Sequence, residues 1–154
     1  MDAQTQRTLV LIKPDGLQRG LVGTIVSRLE TRGLKIVAMK MLKMNQKMAE
    51  QHYNIHLERP FFQGLVSFIT SSPIIAIVLE GPDAVELIRN TIGVTNPIQA
   101  SSGTIRGDFA LTIGRNLVHG SDSMETAASE IKLFFQPDEI LDYPRDVEPW
   151  IIES

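Results

Sequence analysis

The chain has 154 residues, 43% of them hydrophobic and 21% charged, a length that suits one domain with a sizeable core and a composition that excludes disorder as the main state. It has no cysteine, which rules out a disulfide framework and thiolate metal sites and is compatible with a reducing compartment. The longest apolar runs, Leu9 to Ile12 and Ile74 to Leu79, fall far short of the roughly 20 residues a membrane-spanning helix needs. Met1 to Asp15 lacks a basic start followed by a signal-like apolar core, so the expectation is a cytoplasmic protein with no membrane partner.

The net charge of −3 is unevenly spread. Residues 1–88 carry +2, residues 89–119 carry +2 and residues 120–154 carry −7. An acidic balance without a long Lys/Arg run argues against a protein that grips a nucleic-acid backbone by charge. Sparse arginines beside glycines suit a small polyanion better, although solvated surface arginines would look the same.

In chain order, Thr8 to Ile12 reads as a buried strand ended by a turn at Pro14-Asp-Gly16, with Lys13 at its end. Leu21, Val22, Ile25, Val26 and Leu29 recur at helical spacing before the stop at Gly33. Leu34 to Met44 reads as a second strand. Asn45 caps a helix to about His56, and a further helical piece spans Phe61 to Thr70. Pro73 to Leu79, apolar on both faces, reads as a central strand. Gly81-Pro82-Asp83 opens a helix that buries Ala84, Val85, Ile88 and Ile92 and stops at Gly93.

Residues 94–116 show no clean periodicity and read as a long loop, of a length that is usually functional or disordered. Leu117 to His119 follows as a short strand, and Ser123 caps a helix with Ala127, Ala128, Ile131, Phe134 and Phe135 inward. From Gln136 to Ser154 the chain reads as an extended arm, laid on the body or on a neighbouring subunit. The order of elements suits an α+β fold, a ferredoxin-like antiparallel four-stranded sheet with helices packed on it; a doubly wound parallel sheet is the competing topology. No linker or repeat divides the chain, so residues 1–154 read as one domain.

Of the three histidines, His52 and His56 are spaced to share a helix face and in principle to hold a metal. No glutamate follows the first of them and no third ligand is near in sequence, so they read as ordinary packed or surface residues. His119 ends an apolar stretch and leads through Gly120-Ser-Asp-Ser123 into a helix, a junction that places a side chain at a rim beside a helix N-terminus suited to phosphate. A neutral imidazole there can take up a phosphoryl group covalently. Glu130 could hold its tautomer, or could lie on a solvated helix face. The chain contains no G-x-x-x-x-G-K-[ST] and no G-x-G-x-x-G after a strand, which disfavours standard P-loop and protein-kinase mechanisms.

Five motifs occur together: Lys13-Pro-Asp-Gly16, Arg59-Pro-Phe-Phe62, Thr95-Asn-Pro97, Gly103-Thr-Ile-Arg-Gly-Asp-Phe109 and Asn116-Leu-Val-His-Gly-Ser-Asp-Ser123. With them the chain closely resembles the nucleoside diphosphate kinase family, from about Arg7 into the tail. The resemblance implies a ferredoxin-like core and a ping-pong transfer of the terminal phosphate of a nucleoside triphosphate to a nucleoside diphosphate. It implies His119 as the residue that becomes phosphohistidine, supported by Glu130 and Ser121. Lys13, Tyr53, Arg89, Thr95 and Arg106 are the implied phosphate contacts, and Lys13 with Asn116 would hold the ribose hydroxyls.

The base would stack on Phe61 beside Leu65 and Ile113, which reads no donor/acceptor pattern and so implies broad base tolerance. Mg²⁺ is implied as a companion of the substrate phosphates, with Asp122 the nearest carboxylate and no complete protein site. Ser102, Ser72 and Phe134 depart from residues frequent in the family and bear only on loop rigidity and packing. The long arm ending near Trp150 resembles the longer-tailed, hexamer-forming type, so a homohexamer is expected rather than the tetramer other members form. A nucleotide-binding module without turnover is the alternative in another class.

Overall fold

Thr5–Ile12 (β1) ends in a run of buried residues, Thr8 to Ile12, because both faces of the strand are covered. The computed structural model describes residues 4–153; Met1 to Ala3 of the N-terminal stretch and Ser154 of the arm lie outside the described residues. β1 pairs antiparallel with Ile74–Pro82 (β3) on one side and with Val118–Gly120 (β4) on the other. Lys35–Leu42 (β2) pairs antiparallel with the far side of β3. The order β2-β3-β1-β4 is the ferredoxin-like arrangement, and the antiparallel pairing throughout excludes the doubly wound parallel sheet.

Alternation along β1 divides the core into two layers. Val10 and Ile12 face Val22–Thr31 (α2) and Ala84–Ile92 (α5), meeting Ile25, Leu29, Ile88 and Ile92. Leu9 and Leu11 face the other layer, built by Gln46–His52 (α3), Phe62–Ile69 (α4) and Met124–Phe134 (α7) through Ala49, Phe62, Val66, Ile131 and Phe134. Each of the large side chains fully removed from water contributes about 1.5–3 kcal/mol. The Asn45 side chain accepts from the Met48 N–H at 2.8 Å and that of Ser123 from the Thr126 N–H at 3.0 Å, the two expected caps, each worth about 1 kcal/mol.

Several local expectations are corrected. Pro14-Asp-Gly16 belongs to a short helix, Pro14–Gln18 (α1), since proline at the first position and an acid in the first turn suit a helix start as well as a turn. The helix begun at Asn45 ends at His52, and Asn54–His56 forms a separate 3-10 turn. The short strand begins at Val118, because Leu117 takes a left-handed φ of 75°. Ala128 is exposed; the buried stripe of α7 is Ala127, Glu130, Ile131 and Phe134, a three-and-four spacing that turns Glu130 inward in its place.

The 94–116 segment holds three short helical pieces, Pro97–Gln99, Ile105–Phe109 (α6) and Ile113–Arg115. The Asn96 and Thr104 side chains cap the first two, and each piece is too short to show periodicity. The arm beyond Gln136 lies along the body: the Leu141 N–H donates to the Val37 carbonyl at 2.9 Å, and Arg145 Nη2 donates to that of Gly33 at 3.0 Å.

Candidate active site

The register of β4 opposite β1 pairs His119 with Leu11, so the imidazole emerges on the face covered by α3 and α7. Glu130, on the inward stripe of α7, meets it there: its Oε2 lies 2.5 Å from His119 Nε2. The other carboxylate oxygen accepts from the Ser121 hydroxyl at 2.9 Å, so both oxygens are engaged. Glu130 is 8% exposed. Burial works to raise its pKa, but the hydrogen bond and charge of His119, with His52 and Ser121, outweigh it and hold the carboxyl below its ordinary value. The His119 side chain keeps 30% of its surface exposed, and among the described residues its Nδ1 has no hydrogen-bond partner.

His52, at the end of α3, reads from its sequence as an ordinary packed or surface histidine, and the structure instead brings it to this site. Its ring stands edge-on to His119, with centroids 4.8 Å apart, and also packs against Tyr53 and Phe134. Its Nδ1 is 3.3 Å from Glu130 Oε2 but is too poorly aligned for a hydrogen bond, and it is buried without a partner. Burial first, then the neighbouring His119, lowers the His52 pKa to about 4, so the ring is neutral at pH 7. Burial and Glu130 push the Tyr53 hydroxyl up to about 12. The helical spacing of His52 and His56 carried no signal of this, because the meeting of α3 with β4 is long-range.

These groups open into a cleft of about 550 Å³ whose lining includes His52, Tyr53, Arg89, Thr95, His119, Asp122 and Glu130. Arg89 Nη1 donates to the Gly120 carbonyl at 3.2 Å. A Cβ on Gly120 would sit 2.8 Å from Ile92 Cδ1, so glycine there is what lets α5 approach β4 closely enough to bring Arg89 in.

Lys13, Asn116 and Arg106 form a second, connected group. Lys13 Nζ donates to the Asn116 side-chain oxygen, and Asn116 Nδ2 donates to the Thr95 carbonyl at 3.0 Å. Burial lowers the Lys13 pKa to about 8; Asp15 opposes the shift, while Arg106 and Arg115 add to it. Arg106 is 5% exposed. It donates to the carbonyls of Asn116 (3.3 Å), Gly93 (2.9 Å) and Val118 (2.6 Å), clamping the 94–116 segment to β4. Burial, with Arg89 nearby, lowers its pKa to about 10, so it stays charged at pH 7.

Phe61 and Ile113 are exposed and Leu65 is half-buried, and all three lie outside the cleft lining. Arg115 stacks over the Phe68 ring at 4.0 Å, and Lys13 Nζ lies 5.8 Å from the same ring; the Gly114-Arg115-Asn116 setting suggests a guanidinium brought to a ligand, whereas nothing in the sequence marked Phe68. Among the described residues, His52, His119 and Glu130 are the one trio of possible metal ligands whose donor atoms lie within 4.8 Å of one another. That set is rich in nitrogen. No helix among the described residues is long and apolar enough to cross a membrane.

An imidazole held through one nitrogen by a buried carboxylate, in a cleft with a guanidinium at its wall, is an arrangement suited to phosphoryl chemistry. Comparison with known proteins agrees. Residues 6–140 match the family profile described as nucleoside diphosphate kinase. The chain is 57% identical over 148 residues to the nucleoside diphosphate kinase of Synechococcus elongatus, covering 96% of this chain and 99% of that one. It is 55% identical over 149 residues to that of Archaeoglobus fulgidus, covering 97% and 99%. Among solved structures, a halophilic nucleoside diphosphate kinase from Halobacterium salinarum in complex with CDP superposes with a TM-score of 0.95 at 49% identity, covering 97% of this chain and 100% of that one. With the sheet order, the histidine cleft and this likeness over nearly the full length in agreement, the chain belongs to the nucleoside diphosphate kinase family, whose members transfer phosphate between nucleotides.

Proposed function

We propose that this chain moves the terminal phosphate of a nucleoside triphosphate onto a nucleoside diphosphate in two half-reactions, with His119 as the carrier. The observation that carries the reading is the 2.5 Å contact between His119 Nε2 and the buried Glu130 carboxylate. A carboxylate accepts, so Nε2 donates and the ring's lone pair sits on Nδ1. Nδ1 attacks the terminal phosphorus, the N–P bond forms, and the bond to the bridging oxygen breaks to release the diphosphate. The positive charge that develops on the ring is met by Glu130, itself oriented by Ser121. A second diphosphate takes the phosphoryl group back by the reverse steps.

In this reading Arg89, Tyr53, Thr95, Lys13 and Arg106 receive the phosphates. Lys13 and Asn116, already joined, take the ribose hydroxyls, and the base lies against Phe61, Leu65 and Ile113 outside the phosphate cleft. Mg²⁺ demands oxygen ligands in near-octahedral geometry, which the nitrogen-rich trio does not offer; it is assigned to the substrate phosphates, with Asp122 the carboxylate on the cleft wall. When bound, it neutralises phosphate charge.

The two core layers run from β1 to α7 over one sheet, which supports a single domain. A homohexamer is proposed as the working assembly; exposed Met39, Met41 and Trp150 on the edge strand and arm offer apolar surface for such contacts. The cytoplasm is the proposed compartment, in keeping with a chain free of cysteine. Incubation with a nucleoside triphosphate labelled on its terminal phosphate should yield an acid-labile, base-stable phosphoprotein mapping to His119. Label that persists in His119→Ala overturns the assignment.

A further inference from the structure

His52 Nδ1 is buried, without a hydrogen-bond partner, and 3.3 Å from Glu130 Oε2. His119 Nε2 reaches the same oxygen from the other side at 2.5 Å. Two imidazole nitrogens and one carboxylate are the ligand set of a three-ligand zinc site that keeps its fourth position open. The geometry points to a second use of this cluster: His52, His119 and Glu130 form an inhibitory binding site for a borderline divalent transition-metal ion such as Zn²⁺, the fourth position facing the cleft. The effect on activity rests on the reading of His119 as the phosphate carrier; the binding itself does not.

Bonds of roughly 2.0–2.1 Å in a tetrahedral site put ligand atoms about 3.3 Å apart. The His52–Glu130 separation already has that value, and the His119–Glu130 pair would open by roughly 0.8 Å. His52 is supported by aromatic contacts on Tyr53 and Phe134, while Ser121 orients the second oxygen of Glu130, the outer support that ligating side chains require. Imidazole nitrogen favours zinc, copper or nickel over magnesium, so this site and the Mg²⁺ that accompanies phosphates draw on different ions.

Binding replaces the Nε2–H of His119 with a metal–nitrogen bond and releases that proton to solvent. Attack by Nδ1 would then place positive charge on a ring already bonded to a dication, with Glu130 no longer free to offset it. The ion therefore arrests phosphate transfer until it is removed by a chelator.

The test uses the full chain, freed of metal and titrated with Co²⁺ as a spectroscopic probe and with Zn²⁺. One equivalent of Co²⁺ per chain should produce the intense visible bands of a four-coordinate site. His52→Gln should lose those bands and weaken Zn²⁺ binding by at least about tenfold, whereas His56→Gln should retain them. As a control against misfolding of His52→Gln, the parent chain supplies an independent reading: at one equivalent of Zn²⁺ the ring signals of His52 and His119 shift in NMR while that of His56 stays. Zn²⁺ should also abolish transfer reversibly. Absence of saturable one-to-one binding, or unchanged binding in a folded His52→Gln chain, or a Zn²⁺ shift confined to His56, overturns the site. One-to-one binding by the parent chain, together with phosphate label on His119→Ala, leaves the site standing and removes the carrier assignment instead.

Discussion

Glu130 reaches His119 across the sheet because the inward stripe of α7 and the β4 residue opposite Leu11 point into the same layer. Its two oxygens are divided between the imidazole and Ser121. On the proposed mechanism, Glu130→Gln keeps the shape and removes the charge that would offset a cationic phosphoimidazole. The expected outcome is a fall in kcat of roughly 10- to 100-fold with nucleotide affinity little changed, read from the initial rate of phosphate exchange between two different nucleotides. A variant as fast as the parent would show that the contact is only structural.

Arg106 has a heavier structural duty than its motif implied. Its guanidinium satisfies the carbonyls of Gly93, Asn116 and Val118, and an unsatisfied buried acceptor costs about 1–3 kcal/mol. Arg106→Ala should therefore lower unfolding free energy by roughly 3–5 kcal/mol, in addition to any loss of transfer. Arg106→Lys should recover little, since an ammonium cannot reach three acceptors in a planar fork. Urea denaturation of both variants checks this; an unchanged midpoint in Arg106→Ala contradicts the clamp.

If Lys13 receives phosphate as proposed, it should set a pH limit on nucleotide binding. Burial lowers its pKa from 10.5 to about 8 in the nucleotide-free chain, so the ammonium is lost as pH rises through about 8. For folding, the sign is that of a lysine with a depressed pKa: the neutral form is favoured, and stability from this group increases between pH 8 and 10.5. For a phosphate ligand the sign is opposite. Affinity for a nucleoside diphosphate should fall above pH 8, and Lys13→Arg should flatten that fall because the guanidinium keeps its charge. Calorimetric titration from pH 7 to 9.5 decides it; parallel profiles for the two chains would acquit Lys13.

Gly120 is needed for space. Its added Cβ would lie 2.8 Å from Ile92 Cδ1 and 3.4 Å from Ile88 Cγ2, so Gly120→Ala must shift the buried Ile92 side chain or the helix that carries it, at a cost of about 1–3 kcal/mol. Where α5 gives way, Arg89 moves with it and nucleotide affinity should drop too. Ile92→Val deletes the clashing Cδ1, so the double variant should regain part of both losses. If Gly120→Ala melts at the parent temperature, the close approach is not limiting.

Much of the local architecture was legible from neighbours along the chain. The caps at Asn45 and Ser123, the buried stripe of α5 and the two-faced apolar run of β3 depend on spacing and chemistry within a few residues, and all are found as expected. The helical turns within 94–116 were not legible, because that segment is held by the Arg106 clamp and by Asn96 and Thr104 caps rather than by an apolar period.

The motif around His119 marked one imidazole and the charged residues that travel with it, and hydrophobic periodicity by itself determined the inward faces of the helices and strands apart from the Ala128 position of α7. Tertiary structure alone decided that Glu130 takes an inward place on α7 while Ala128 turns out, that His52 arrives beside His119, and that Arg106 is a clamp. The physical reason is range: capping and alternation act within a turn of chain, whereas these contacts arise when antiparallel register brings β4, α3 and α7 together across one face of the sheet.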